Sequence, residues 1–289
     1  MNQKNETGKI IQNLHTHSIY DDGKDPVEET VRTAIEKGFT VLGFSGHSFN
    51  PLDDGSMTPE NTENYRRDVL AAKKKYQNQI DIVLGIEKDS LSDIDQDQYS
   101  YVIGSLHYLK KDGKLYPVDY SKEEFERLLE EAYQGDTEQM VSDYCQQERE
   151  MIEQGGFDIL GHIDLITKYN EEEEYFSFDA PWYLAEMEKT VDAAIAKDLI
   201  IEMNTGAISR GYRSSAYPSD EILQMIHNRG GKICVNTDTH NRNNLDCALQ
   251  ETISRAAACG FTELASWQNG KFVLEPIECF LAQENQAQR

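Results

Sequence analysis

Short apolar runs alternate with segments of helical periodicity along almost the whole chain. The runs are Ile10 to Leu14, Thr40 to Phe44, Ile80 to Ile86, Tyr101 to Ile103, Phe157 to Leu160, Leu199 to Met203 and Lys232 to Val235. Their length and their Gly and polar boundaries predict strands. A helix is expected from about Pro26 to Lys37, closing at Gly38, and another from about Glu60 to Tyr76. A last strand near Lys271 to Leu274 follows a helix. Strand and helix in alternation predict βα units on a mostly parallel sheet. Between the fourth and fifth runs, an insertion over about 121–155 carries helices at Lys122 to Tyr133 and Glu138 to Gln154, the second ending at Gly155-Gly156. No low-complexity linker interrupts this rhythm, so a single domain over 1–289, with a core at about 10–275, is expected.

Composition narrows the classes. The 289 residues are 38% hydrophobic and 28% charged, an ordinary globular balance. A net charge of −24 repels polyanions, and no Lys/Arg cluster lies beside the polar motifs, so no nucleic-acid partner is expected. The acidic runs Lys122 to Glu131 and Glu171 to Glu174 read as solvated surface. No apolar stretch reaches the ~20 residues that span a bilayer. Met1 to Gly8 is polar and lacks the core of a secretory signal, so a cytoplasmic protein is expected. The five cysteines, odd in number and without a CxxC pair, read as reduced thiols, with Cys234 in the core.

The chemistry lies at the ends of the apolar runs. His15 and His17 end the first, His47 follows the second, Glu87 ends the third, His107 follows the fourth and His162 the fifth. Glu202 and Asn204 close the sixth, and Asp238 and His240 follow the seventh. In parallel α/β folds the carboxyl ends of the strands share one edge, so residues scattered in sequence become a ring in space. The spacing of two in His15-Thr16-His17 and in Asp238-Thr239-His240 puts both members of each pair on one side of an extended chain. Imidazole with carboxylate suits zinc, iron or manganese, and Glu87 is a carboxylate able to bridge two ions. Taken singly, a histidine such as His47 or His107 is more often hydrogen-bonded than a ligand, and Glu87 could be a capping or ion-paired acid; the joint pattern points to metal. His227, on the helix before the seventh run, does not fit and is set aside.

The motifs NLHTHSIYDDG, GFSGHS, LGIEKD, IGSLHY, ILGHIDLI, IEMNTG and VNTDTH resemble, in this order, the polymerase and histidinol phosphatase (PHP) family. The resemblance spans Ile10 to Leu274 and is strongest to the histidinol-phosphatase branch. It implies an α/β fold, a distorted seven-stranded βα barrel, with three divalent metal ions (zinc, manganese or iron). It implies His15, His17, Glu87 and Asp238 at a first ion, Glu87, His107 and His162 at a second, and Asp22, His47 and His240 at a third. Many histidinol-phosphatase relatives carry histidine where this chain has Asp21-Asp22-Gly23; Asp21 is the fallback ligand. Arg210 resembles an arginine that grips phosphate, while Arg213 and Lys168 compete for that role. Asn204 and Glu202 are candidates to orient metal-bound histidines.

The activity implied is hydrolysis of a small phosphomonoester, L-histidinol phosphate above others, by a hydroxide shared between two metals. Asp238, His240 and Arg210 are the catalytic candidates. A nucleotide or short-oligonucleotide phosphoesterase is the alternative enzyme, and a non-catalytic scaffold the alternative from another class. The oligomeric state is left open.

Overall fold

A computed structural model describes residues 9–281; the N-terminal stretch Met1 to Gly8 lies outside them. Seven parallel strands follow the seven apolar runs: β1 (Gln12–Asn13), β2 (Val41–Phe44), β3 (Asp81–Asp89), β4 (Tyr101–Ser105), β7 (Ile159–Leu160), β8 (Ile200–Asn204) and β9 (Lys232–Asn236), hydrogen-bonded in that order. Between β4 and β7, β5 (Tyr108–Lys111) and β6 (Lys114–Pro117) form a separate antiparallel hairpin. Beyond the ends of β1 and β9, Thr16 bridges in parallel to Thr239, with Thr239 N donating to His15 O and His17 N to Thr239 O. The sheet is thereby nearly closed into a barrel.

Helices α1 (Val27–Glu36), α2 (Pro59–Tyr76), α3 (Lys122–Tyr133), α4 (Thr137–Gln154), α5 (Pro181–Ala196), α7 (Asp220–Asn228) and α8 (Leu249–Ala258) cover the outside, while the short α6 (Gly206–Ser209) lies against Asp238 beyond the end of β8. Their starts follow local chemistry. Thr58 caps α2 by accepting from Asn61 N, with Pro59 at the first turn, and Ser121 and Asp136 cap α3 and α4 in the same way. No described helix is long and apolar enough to cross a membrane.

Strand periodicity sorts the core into two layers. Ile82, Leu84 and Ile86 on β3, and Ile201 and Met203 on β8, face outward under the helices. Val83 on β3, Ile200 on β8 and Cys234 on β9 face inward with Leu14, Tyr101 and Ile103. The same alternation carries Glu87, Glu202, Asn204 and Asn236 into the upper interior. The lower interior is closed by a second hairpin, β10 (Glu263–Gln268) with β11 (Lys271–Pro276), which packs Ala265 and Trp267 against the inner layer. Gln12 Nε2 donates to Ala265 O, and Trp267 N donates to Gln12 Oε1.

Two expectations need correction, and one hairpin was missed. β3 runs on to Asp89, so Glu87 lies within the strand, opposite Ile103, and not at its end. The strand over Lys271 to Leu274 belongs to an antiparallel hairpin, not to the βα series. The β5–β6 hairpin was not anticipated, although its turn residues Asp112 and Gly113 (φ 49° and 78°) have the left-handed conformation that Asp-Gly favours.

Candidate metal centre

The site is built around the carboxylate of Glu87, which β3 presents at the upper end of the barrel with 1% exposure. Its two oxygens face different histidines. Oε2 lies 3.3 Å from His15 Nε2, 3.7 Å from His17 Nε2 and 2.9 Å from His47 Nδ1. Oε1 lies 3.2 Å from His162 Nε2 and 3.4 Å from His107 Nε2, and accepts from Ser105 Oγ at 2.6 Å. Asp238 Oδ1 lies 3.2 Å from His17 Nε2 and 3.7 Å from His15 Nε2. Donor atoms arranged about one ion with bonds of ~2.1 Å stand roughly 3.4 Å apart in a tetrahedron, which is the spacing seen here.

A second gathering lies outward. Asp22 Oδ1 is 3.0 Å from His240 Nε2 and 3.7 Å from His47 Nε2 and from His17 Nδ1. Three sets have donor atoms within 4.8 Å of one another: His17, Asp22, His47 and His240; His15, His17 and Glu87; and His47, Glu87 and His107. His17 and His47 thus each stand between sets. All nine residues expected to be metal ligands are brought together, and so are six of the seven histidines. The seventh, His227, lies on α7 with its ring 5.1 Å from that of Phe261.

The outer ring nitrogens are anchored. His15 Nδ1 donates to Glu202 Oε1 at 2.7 Å, His17 Nδ1 to Asp21 Oδ2 at 2.6 Å and His107 Nδ1 to Asp89 Oδ2 at 3.2 Å. Each bond fixes a tautomer that leaves Nε2 with a lone pair facing the centre. Asp21 is further engaged by the backbone N–H groups of Ser18 and His47, so it orients His17 while Asp22 faces the cluster. Glu202 accepts four hydrogen bonds, from His15, His162 N, Asn204 and Asn236. Asn204 Oδ1 in turn accepts from Gly206 N.

Electrostatics and unmet bonding both call for cations. Burial disfavours charge on His15, yet Glu202, Glu87 and Asp238 outweigh it and hold the ring well above the usual imidazole range. Burial likewise opposes ionisation of Glu87, but His15, His47 and His107 hold its carboxyl well below the usual range. His15 Nε2, His17 Nε2 and Glu87 Oε2 are buried without a hydrogen-bond partner. Buried polar atoms left without a partner are costly unless something else meets them. The donor set fits divalent first-row ions.

The three basic candidates part company. Arg210, at the end of α6, has Nη2 3.0 Å from Asp238 Oδ2 and Nη1 3.0 Å from His240 Nδ1, while its Nε has no partner. Arg213 is turned into the interior: Nη1 donates to Thr167 Oγ1 at 2.5 Å, and the guanidinium lies over Tyr217 and Phe178. Lys168 Nζ is held by Asp119, on its carbonyl at 2.5 Å and on Oδ2 at 3.2 Å. Arg213 and Lys168 are thus directed to Thr167 and to Asp119, whereas Arg210 alone of the three is bonded to members of the ligand ring, Asp238 and His240.

Sequence reasoning missed several contributors. Gly206 is required because a Cβ there would meet Asp238 Oδ2 at 2.5 Å and Arg210 Nη2 at 2.8 Å; its place directly after the sixth run was the available signal. Asp89, two residues past Glu87, and Ser105, two before His107, carried the same spacing of two and were overlooked, whereas Asp119 carried no such signal.

A family model described as PHP domain matches residues 13–206. The chain belongs to the PHP domain family. Asp238 and His240 lie past the matched span and join the site through β9. The chain is 23% identical over 284 residues to a Schizosaccharomyces pombe protein named "Probable histidinol-phosphatase", with 89% of each chain covered. It superposes on a Listeria monocytogenes protein assigned to the histidinol phosphatases with TM-score 0.73 at 21% identity, covering 83% of this chain and 99% of that one. A histidinol phosphate phosphatase from Lactococcus lactis, solved with zinc, L-histidinol and phosphate, gives TM-score 0.68 at 18% identity, covering 91% and 98%. These likenesses establish the PHP fold. With the buried donor clusters, family membership places the chain among metal-dependent PHP phosphoesterases.

Proposed function

We propose that this PHP protein is a phosphomonoesterase holding three divalent ions, and that its substrate is L-histidinol phosphate. The observation that carries the reading is the two-sided engagement of Glu87, with His15, His17 and His47 on one oxygen and His107 and His162 on the other. A carboxylate so placed serves as a bridge, as hydrolysis by closely spaced ions requires. His15, His17, Glu87 and Asp238 would hold one ion, Glu87, His107 and His162 a second, and Asp22, His47 and His240 a third. Bound ions would act as Lewis acids on a phosphoryl oxygen and bring the pKa of water toward neutrality.

The remaining steps fall to side chains. Arg210 grips the phosphoryl oxygens, its fork matching their geometry and its charge offsetting what develops on them. Asp238 and His240 both contact Arg210, which supports giving them the transfer of a proton to the departing alcohol. Histidinol is favoured as that alcohol because the S. pombe and L. lactis relatives are named for its phosphate ester, and because an acidic chain suits a cationic substrate.

The test is a panel of histidinol phosphate, nucleoside monophosphates and a short single-stranded oligonucleotide, each with added manganese, iron or zinc. Histidinol phosphate should lead in kcat/KM by on the order of 100-fold. A lead for the nucleotides, or no turnover with any metal, would refute the assignment.

A further inference from the structure

The phosphate end of a monoester is drawn to cations and Arg210 whatever alcohol it carries, so selectivity has to come from the wall facing the leaving group. Asp119 is the candidate for such a wall. It follows Val118, whose N donates to His107 O at 2.9 Å, and so begins where the β5–β6 hairpin meets the site. Its carbonyl is clamped from the far side by Lys168 Nζ at 2.5 Å and the Tyr169 hydroxyl at 2.8 Å, both on the segment after His162. The ring of Tyr169 packs edge-on against Tyr212 with centroids 5.4 Å apart, and Lys168 Nζ sits 5.0 Å from the Tyr212 centroid. Tyr212 lies two residues past Arg210. Hairpin, β7 loop and β8 loop are thus joined by contacts into one surface running from His107 to Arg210.

On that surface, Asp119 Oδ2 meets Lys168, while Oδ1 has no bonding partner among the described residues. The side chain is 26% exposed, and Tyr212 is 41% exposed. Burial works against the carboxylate, but Lys168, His107, His162 and Arg210 hold its pKa down to about 2. We infer that Asp119 is a specificity-determining residue: it selects phosphomonoesters whose alcohol carries a positive charge a few bonds from the ester oxygen. Lys168 occupies Oδ2 and leaves Oδ1 for the substrate. The same charge repels alcohols bearing a carboxylate, so selection is by rejection as well as attraction.

This inference rests on the phosphomonoesterase reading but not on histidinol as the alcohol. The probes are 2-aminoethyl phosphate, propyl phosphate and phosphoglycolate, with cationic, neutral and anionic alcohols of similar size. The wild-type enzyme should favour them in that order. Asp119→Asn should lower the ratio of kcat/KM for aminoethyl over propyl phosphate by about tenfold, through KM and not kcat. Asp119→Glu should keep most of the ratio. Lys168→Gln, which removes the competing cation, should hold or raise it and guards against a misfolded Asn variant. An Asn variant with an unchanged ratio, or one that loses both esters equally, overturns the inference. So does a Lys168→Gln variant that binds all three esters worse, since that puts the lysine on phosphate. A wild-type enzyme hydrolysing all three alike overturns this inference alone; hydrolysis of none, with manganese, iron or zinc present, overturns the site reading with it.

Discussion

His15 and Glu202 share a fully enclosed hydrogen bond, Nδ1 to Oε1 at 2.7 Å, with neither side chain exposed. It turns the opposite nitrogen, Nε2, toward Glu87 and Asp238. Partners of this kind set ring orientation and basicity, and their loss lowers metal affinity about 10–100-fold. Glu202→Gln keeps the shape and removes the charge. It should weaken metal binding in a chelator competition by that factor, while the secondary structure seen by circular dichroism stays intact. Unchanged affinity would reduce Glu202 to core packing.

Arg210 and Arg213 are three residues apart and have different partners, Asp238 and His240 for the first and Thr167 for the second. Arg210→Ala should raise KM for phosphomonoesters about tenfold or more. Arg213→Ala should leave KM near the wild-type value and instead cost about 3 kcal/mol in denaturant unfolding, since it breaks a buried polar network with Thr167 and Glu171. A reversed pattern would exchange their roles.

That pair marks where the sequence stopped being legible. The seven apolar runs became the seven parallel strands, because strand periodicity and Gly punctuation act locally. The ring of ligand candidates was visible for the same reason: chemistry at strand ends converges once the sheet is parallel. Arg210 and Arg213 follow the four-residue α6, where no period says which side chain turns inward. The fourfold bonding of Glu202 needs β7 and β9 as neighbours of β8, a tertiary fact. Asp119 depends on a hairpin whose Asp112-Gly113 turn was present in the sequence and overlooked.

The barrel interior imposes its own glycine. A Cβ at Gly85 would meet the Tyr101 ring at 2.3 Å, and the Tyr101 hydroxyl reaches across to Leu14 O at 2.5 Å. Gly85→Ala should destabilise the protein by about 1–3 kcal/mol by overpacking. Tyr101→Phe in the same background should not restore stability, because the ring and not the hydroxyl collides. Chemical denaturation of both variants checks this, and a silent Gly85→Ala would contradict the packing.

Away from the site, Glu148 on α4 is buried, and its Oε2 has no hydrogen-bond partner. Burial, reinforced by Asp164, pushes its carboxyl well above the usual value of 4.5. The folded chain therefore holds a proton that the unfolded chain releases above that pH, so this group costs stability increasingly as pH rises toward its folded pKa. Glu148→Gln should be more stable than wild type at pH 8, and the gap should close as pH falls below about 4.5. Melting temperatures across that range decide it; a gap independent of pH would mean that ionisation plays no part.

The central claim is that side chains far apart in the chain hold several divalent ions around one shared carboxylate. Metal content per chain, measured by mass spectrometry on wild type and Glu87→Gln after loading with manganese or zinc, tests it most directly. The account predicts more than one equivalent in the wild type and the loss of more than one in the variant. Equal metal content in the two proteins would contradict it.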